Sequence, residues 1–356
     1  MRQLVSFIEP FYRRARLGLL RGSYVIDANL ASAARWQARG VNDGYREADA
    51  RLPPAMLEYL RLGEAGLAEL TATFAFAAEK GDALAGPRGE AIRFELSDVK
   101  LLAPVPRPGK IIHTAGNFRE HAQEGTAGGW SFQIPPWISF LKSTSAIIGH
   151  EDDIVYPRLT RKLDHEIELA IIIGKAGRYI PVDQAWEHIA GFTVFNDVSA
   201  RDLQHREMKS GLLNLGKNLD TFAPFGPAMT LRDDIGDVHN LKIELRLNGD
   251  PRQVSNTNHL SVKVPEIVSH WSVLHLEPGD IISTGTVSGV AAFRKPDPGP
   301  FWMKPGDVCE AEIENIGILR NRLVADELTP DQERWLEARK HLFEHDQTDE
   351  TRAAAK

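Results

Sequence analysis

The sequence predicts a β-rich α+β fold. From residue 110 to about 323 it consists of short apolar runs separated by glycine and proline, which is typical of many short strands with few helices. The Asn-Gly-Asp stretch at 248–250 favours a hairpin turn between two of these strands. Before this region, residues 55–80 carry the apolar periodicity of a helix.

Three parts are expected along the chain. Residues 1–105 form a small N-terminal α+β domain that ends in the proline-rich linker "APVPRPGK", and its strands "LGLL" and "SYVIDA" are separated by a turn at Arg21-Gly22. Residues 106–325 form the β-rich main domain. Residues 326–356 form a charged tail, with a peripheral helix after Thr329 that frays into "DETRAAAK".

Composition excludes several classes of protein. The chain has 356 residues, 42% hydrophobic and 26% charged, as in an ordinary globular protein. A net charge of -7 without a long basic run argues against nucleic-acid and membrane-surface partners. Cys309 is the only cysteine, so an intrachain disulfide and a cysteine metal cage are excluded. No apolar run reaches the length of a membrane span, and a cytoplasmic location is expected by elimination.

Two glutamates precede an apolar run in "LDHEIELAIIIGK". The run predicts a buried strand, and the alternation of side chains would place Glu166 and Glu168 on one face, about 7 Å apart. Two unpaired carboxylates in such a place would repel each other and would be costly to bury. A neutralising partner is therefore expected.

A third carboxylate, Asp197, follows the predicted strand "GFTVFN". If the two strands are neighbours, Glu166, Glu168 and Asp197 could surround one cation. Carboxylates without cysteine make a hard oxygen site, for which Mg²⁺ is the first choice and Mn²⁺ or Ca²⁺ are possible. The alternative is that these acids are surface residues or partners of arginine and lysine.

Two helices with polar side chains are predicted near these acids. Ser199 and Asp202 resemble a capping box, and Asp197, Arg201 and Gln204 would then share one helical stripe. The alternative for this stripe is an ordinary Asp–Arg surface pair.

"NFREHAQEG" predicts the other helix, with Asn117 as its N-cap and Gly125 at its end. His121 and Glu124 would face the same side, where the carboxylate could hold the imidazole as a general base. Alternatively, this pair belongs to a solvated helix face. The glycine-rich segment "GTAGGW" that follows would be flexible enough to let this helix move.

Three further motifs carry polar groups. "GLLNLGKN" imitates a phosphate loop at Lys217, but Asn218 follows the lysine and no strand precedes it, so a nucleotide site is rejected. "STGTVSG" could present backbone N–H groups and the Thr286 hydroxyl to an anion, or could be a plain tight turn. Lys142 is a surface cation or a secondary substrate contact.

These stretches together resemble the fumarylacetoacetate hydrolase family. The matching segments occur in the family's order, namely "GNFREHAQE", "FLKSTSA", "DHEIELAIIIGK", "GFTVFNDVSARDLQ", "GKNLDTFAPFGP", "LRLNGDPRQVSNTNHL" and "LEPGDIISTGTVSGV". The resemblance implies a mixed β-sandwich or roll as the catalytic domain, with the active site at its mouth, usually in a homodimer.

The resemblance also implies roles for individual residues. Glu166, Glu168 and Asp197 would be metal ligands; the His121/Glu124 helix would be a lid that carries the base; and Lys217 would polarise the substrate carbonyl beside the metal. The substrate contacts would be Arg201, Gln204, Thr286 and Lys142.

The family's chemistry implies a metal-dependent hydrolase that cleaves a carbon–carbon bond in an acylpyruvate. The alternative is a decarboxylase, tautomerase or isomerase of a related oxo-diacid, and a third possibility is an inactive binding protein that kept the fold. The family's fumarylacetoacetate branch has an acidic ligand where this chain reads "HTAGNF", so fumarylacetoacetate itself is not expected as the substrate. Ser143 and Val287 also replace prolines that are common in the family.

Overall fold

The structure is a computed structural model that describes residues 1–127 and 139–340. The N-terminal elements are β1 (Gln3–Ile8), β2 (Ala15–Arg21), β3 (Tyr24–Asp27), α1 (Ala28–Ala38), α2 (Gly44–Arg51), α3 (Met56–Arg61), α4 (Gly63–Lys80), β4 (Arg93–Glu95) and β5 (Lys100–Leu102). There follow β6 (Ile111–Thr114), α5 (Arg119–Ala127), β7 (Ser139–Lys142), β8 (Ile147–Ile148), β9 (Ile154–Tyr156), β10 (Leu163–Asp164), β11 (Ile167–Ile173), β12 (Ile189–Asn196), β13 (Ser199–Ala200), α6 (Arg201–Met208), α7 (Leu215–Asn218) and β14 (Ala223–Leu231). The last elements are β15 (Lys242–Leu247), β16 (Asp250–Asn256), α8 (Val264–Trp271), β17 (Ile281–Thr286), β18 (Val308–Ile313), β19 (Gly317–Ala325) and α9 (Pro330–Arg339).

Two sheets form the body of the described chain. The large mixed sheet has the order β4-β3-β2-β1-β14-β12-β11-β17-β6-β7, with β5 added beside β1 and β8 beside β14. A five-stranded sheet, β16-β15-β18-β19-β9, packs against β11, β12 and β14. Helices α3 and α4 cover the opposite face of the large sheet. This architecture confirms the predicted β-rich α+β fold.

Strand β11 lies at the centre of these layers and is buried on both faces. Leu169 and Ile171 pack into the core between the two sheets, whereas Ala170 and Ile172 pack into the core under the helices. A strand covered on both faces reads as a continuous apolar run, as this one does. The predicted buried strand is therefore confirmed, and Glu168 lies on the same face as Ala170.

The N-terminal region is joined to the main region through the large sheet. Strand β1 pairs with β14, with Gln3 opposite Thr230, so the sheet continues across residue 105. The division into domains stays a prediction. The turn at Arg21-Gly22 connects β2 and β3 as expected. The helix expected over residues 55–80 is divided into α3 and α4 at Gly63, whose φ of 55° interrupts the helical backbone.

The predicted hairpin and tail helix are also present. Asn248 and Gly249 connect β15 to β16 with φ angles of 54° and 83°, as a turn with two left-handed central residues requires. Helix α9 begins after Thr329, whose hydroxyl accepts a hydrogen bond from the Gln332 amide. The stretch "DETRAAAK" lies outside the described residues. None of the helices in residues 1–127 and 139–340 is long and apolar enough to cross a membrane.

Candidate metal centre and active site

The three acids meet at one end of β11 and β12. Glu168 lies inside β11, Glu166 directly precedes it, and Asp197 directly follows β12. The Asp197 amide donates a 2.8 Å hydrogen bond to the Glu166 carbonyl, which brings the two strand ends together. All three side chains are buried. The expectation that neighbouring strands assemble these carboxylates agrees with this geometry.

Two buried lysines neutralise much of this charge. Lys217 Nζ lies 2.7 Å from Glu166 Oε2 and 2.7 Å from Asp197 Oδ2, and Lys142 Nζ donates to Asp197 Oδ1. Burial by itself would raise the pKa of Asp197, but Lys142 and Lys217 hold it well below its usual value. Burial would likewise lower the pKa of Lys217, but Asp197 and Glu166 raise it. Both shifts favour the charged forms, so Asp197 and Lys217 form an ion pair at neutral pH.

The two lysines have different positions relative to the cavity. Lys217 lies on the cavity wall, whereas Lys142 is absent from the described lining and sits behind Asp197. Lys142 is buried, so the alternative that it is a surface cation is wrong. Its ammonium group contacts Asp197 and the Val198 carbonyl at 3.2 Å, and the substrate contact that the resemblance implied stays a prediction. Burial lowers the pKa of Lys142, and Asp197 opposes this shift.

Arg201 forms ion pairs with two buried acids, Asp164 and Glu166. Its guanidinium donates to Asp164 at 2.8 Å, to Glu166 at 2.5 Å and to the Gln204 amide oxygen at 2.9 Å. All of these groups are buried. Arg201 and Gln204 thus lie together on the cavity wall, and Glu166 is held between an arginine and a lysine.

The predicted capping box at this helix is wrong. Ser199 belongs to the short strand β13, and its hydroxyl donates to the Asp197 carbonyl at 2.8 Å. Helix α6 begins only at Arg201, so Asp197 is not on its stripe. Asp202 instead accepts hydrogen bonds from the Thr160 hydroxyl and the Arg161 amide. The helix starts late because β13 must first pair with β10.

Replacing Arg201 with methionine is expected to lower the free energy of unfolding by about 3–5 kcal/mol, because Asp164 and Glu166 would lose a buried partner. Urea denaturation measures this change. The control is Lys175→Ala, which breaks an ion pair with Glu187 whose side chains are 56% and 66% exposed. Such a pair contributes below about 1 kcal/mol. Equal effects of the two variants would contradict the importance of the buried network.

Helix α5 carries the predicted dyad. His121 Nδ1 lies 3.4 Å from Glu124 Oε2, and both Glu124 oxygens accept from the Gly289 amide at 3.1 Å. Glu120 on the same helix contacts Ser255 and His259. Glu120 and Glu124 therefore both connect the helix to other parts of the chain. His121, which lies between them, lines the cavity.

The predicted limits of this helix are wrong. It begins at Arg119 and runs through Gly125 to Ala127. Asn117 is not its N-cap, because the Asn117 amide group donates to the Val262 and Thr284 carbonyls and accepts from the Val262 amide. Of the stretch expected to be flexible, residues 128–130 lie outside the described residues.

Polar groups of the "STGTVSG" segment make hydrogen bonds within the chain. Its Gly289 amide is taken by Glu124 of the chain itself. The Thr286 hydroxyl donates to the Ile167 carbonyl at 2.9 Å and accepts from Gln253 at 2.9 Å. Thr286 nevertheless lines the cavity. Its hydroxyl thus joins β17 to β11, and a role in binding substrate stays a prediction.

One cavity of about 470 Å³ brings these groups together. Its lining combines both glutamates, Asp197 and Lys217 with apolar side chains such as Leu212 and Phe293. The described lining includes the predicted residues His121, Glu166, Glu168, Asp197, Arg201, Gln204, Lys217 and Thr286. Glu124 and Lys142 are outside this lining and contact His121 and Asp197, respectively.

Sequence reasoning missed His113, Asp164 and Ser283. The Ser283 hydroxyl donates to Glu168 Oε2, and His113 Nδ1 lies 2.9 Å from the same oxygen. His113 belongs to "HTAGNF", a stretch in which only an acid was sought. The available signal was its position at the end of an apolar strand beside the predicted catalytic helix.

These residues fit a divalent cation. Ligand atoms of His113, Glu168 and Asp197 lie within 4.8 Å of one another, and all three residues are buried. Glu166 adds a further carboxylate at the same cavity. Carboxylate oxygens suit Mg²⁺ and Mn²⁺, and an imidazole nitrogen is a common additional ligand for transition ions.

Known proteins resemble this chain over most of its length. The family described as Fumarylacetoacetate (FAA) hydrolase C-terminal matches residues 110–324. The mitochondrial oxaloacetate tautomerase FAHD2A of Bos taurus is 39% identical over 327 residues, which cover 90% of this chain and 91% of that protein.

Solved structures agree with this match. A fumarylacetoacetate hydrolase from psychrophilic Exiguobacterium antarcticum has a TM-score of 0.68 and 31% identity, covering 92% of this chain and 100% of that one. Maleylpyruvate hydrolase from a Sphingobium species, in complex with manganese(II) and pyruvate, has a TM-score of 0.65 and 28% identity, covering 91% and 100%. The chain therefore belongs to the fumarylacetoacetate hydrolase family.

Proposed function

We propose that this chain is a divalent-metal-dependent tautomerase that interconverts the keto and enol forms of a 2-oxo diacid of the oxaloacetate type. The observation that carries the proposal is that His121 and the carboxylate cluster line the same cavity. The relative named as an oxaloacetate tautomerase favours this alternative over the hydrolase expected first.

The reaction needs a proton to leave carbon and another to reach oxygen, with no water consumed. His121 is the group on the cavity wall that can take the proton from the carbon next to the 2-oxo group and return it. Glu124 lies 3.4 Å from His121 Nδ1 and orients the imidazole. A divalent cation would supply Lewis-acid stabilisation of the enolate when bound.

The cavity can also bind the negative charges of a diacid. Lys217 and Arg201 place positive charge on its wall, although both are engaged with acids. Binding of an anionic substrate would have to compete with these ion pairs or use the remaining guanidinium N–H groups, since an arginine has five. Gln204 adds an amide beside them.

The hydrolysis of an acylpyruvate is the second candidate. It is favoured by the likeness to maleylpyruvate hydrolase, whose structure was solved with manganese and pyruvate. In this reaction His121 would take a proton from water rather than from carbon. Metal, base and enolate are common to both reactions, so the distinction requires product analysis.

The testing experiment uses the purified protein with Mg²⁺ or Mn²⁺ and freshly dissolved enol-oxaloacetate, following the enol absorbance. The tautomerase would be supported if the enol form decays to the keto form faster with the wild-type protein than in two controls. One control contains the metal ion without protein, and the other contains the metal ion with the His121→Ala variant. Acylpyruvates are incubated in parallel, with product analysis. Split products from an acylpyruvate, without acceleration of tautomerisation, would replace the proposal by the hydrolase. Inactivity in both assays, with metal bound, would favour a binding protein that kept the fold.

A further inference from the structure

His113 occupies a position on the large sheet that faces the carboxylates. It lies in β6, where it pairs with Ser283 of β17 on one side and with Phe140 of β7 on the other. Its ring stacks on Phe140 at 4.8 Å and meets the edge of Phe195 at 4.9 Å. The aromatic neighbours fix the plane of the imidazole and leave its Nδ1 edge toward Glu168 and Asp197.

The two ring nitrogens of His113 lack hydrogen bonds. The side chain is fully buried, and neither Nδ1 nor Nε2 has a hydrogen-bond partner among the described residues. The polar groups nearest to Nδ1 are carboxylates, with Glu168 Oε2 at 2.9 Å and Asp197 Oδ2 at 3.6 Å. A buried imidazole nitrogen this close to two carboxylates is in position to share a cation with them.

The distances around Nδ1 suit neighbouring positions on one ion. Octahedral ligands with bonds of about 2.1 Å lie about 3.0 Å apart when they are adjacent. Nδ1 is 2.9 Å from Glu168 Oε2 and 3.6 Å from Asp197 Oδ2. We propose that His113 Nδ1 ligates the divalent ion together with Glu168 and Asp197, so that the centre is a mixed nitrogen–oxygen site.

This ligand changes which ion the centre prefers. Mg²⁺ is bound mainly by oxygen atoms, whereas imidazole suits ions of the transition series. With His113 in the ligand set, the expected order places Mn²⁺ ahead of Mg²⁺, the ion that the acids alone suggested. The inference rests on the metal site of the proposed function but not on the reaction.

The test is pulsed EPR of the Mn²⁺-loaded full chain, without substrate. The wild-type protein is expected to show a hyperfine coupling between the ion and a nitrogen nucleus. This coupling should change from that of ¹⁴N to that of ¹⁵N when the histidines are labelled with ¹⁵N. His113→Phe keeps the aromatic stack with Phe140 and should abolish the coupling. It should also weaken Mn²⁺ binding by at least about 10-fold, and Mg²⁺ binding by less. The control is His121→Ala, which should keep both the coupling and the affinity.

Each outcome decides a separate point. Bound Mn²⁺ without a histidine coupling in the wild type would overturn the ligand assignment and leave the proposed function intact. A coupling that survives in His113→Phe would assign the nitrogen to another histidine and would also overturn it. Failure of the wild type to bind Mn²⁺ or Mg²⁺ would overturn both the ligand assignment and the proposed metal-dependent reaction. The wild-type spectrum remains decisive even if His113→Phe does not fold.

Discussion

Glu168→Gln is expected to remove bound divalent cation and activity together. The substitution keeps the shape of the side chain beside Ser283 but removes the negative charge from the centre of the cluster. Loss of an outer contact to a metal ligand typically lowers affinity about 10- to 100-fold, so loss of the ligand charge should cost at least about 100-fold. Mn²⁺ affinity by calorimetry and turnover of enol-oxaloacetate measure the two effects.

The matched control for this experiment is Glu187→Gln. Glu187 is 66% exposed, and its partner is Lys175 on the surface. Both affinity and turnover should stay at the wild-type level in this variant. Glu168→Gln protein that is folded, as shown by its thermal transition, and that still binds the ion normally would contradict the assignment of Glu168 to the metal centre.

His121→Ala is expected to lower turnover by about 100- to 10,000-fold, the usual contribution of general acid–base catalysis. Binding of the cation should be unchanged, because His121 lies on helix α5 and not in the acid cluster. The measurement combines kcat with the Mn²⁺ affinity used for Glu168→Gln. This pair of variants separates the loss of the base from the loss of the ion.

Gln123→Ala is the control on the same helix, because Gln123 is exposed there. It should leave turnover within about twofold, as surface substitutions change little. A His121→Ala variant with wild-type kcat would remove His121 from the mechanism, whatever the metal does. A parallel loss of cation affinity in His121→Ala would instead indicate that helix α5 supports the metal centre.

Much of the fold could be predicted because its signals are local. The apolar run after Glu168 is continuous because β11 is buried on both faces, and Asn248-Gly249 forms the turn that its sequence favours. The limits of helix α5 could not be predicted in the same way. Asn117 is a good N-cap in isolation, but its amide group is used by Val262 and Thr284, which lie far away in the sequence.

The candidate site likewise contains residues that the local sequence indicated and residues whose partners it did not indicate. Glu166, Glu168 and Asp197 were recognisable because acids at the ends of apolar strands are unusual. The pair of His121 and Glu124 was recognisable from its helical spacing, and the resemblance to a family favoured its catalytic role and supplied the role of Lys217. Of the two readings of Lys142, the surface cation is wrong, because its side chain is buried against Asp197, a partner 55 residues away that no local pattern indicates. His113 lies at the end of an apolar strand, but this signal is weak, because an imidazole there is equally compatible with packing.

The sequence by itself therefore determined the β-rich fold, the buried strand and the acids at its head. These follow from periodicity and from the cost of burying charge, which act within a few residues. Only the tertiary structure decided which cations neutralise the acids and which nitrogen faces them. Lys142, Lys217 and His113 reach the same carboxylates from three separate elements, and pairing over such separations is fixed by how the sheet and helices pack.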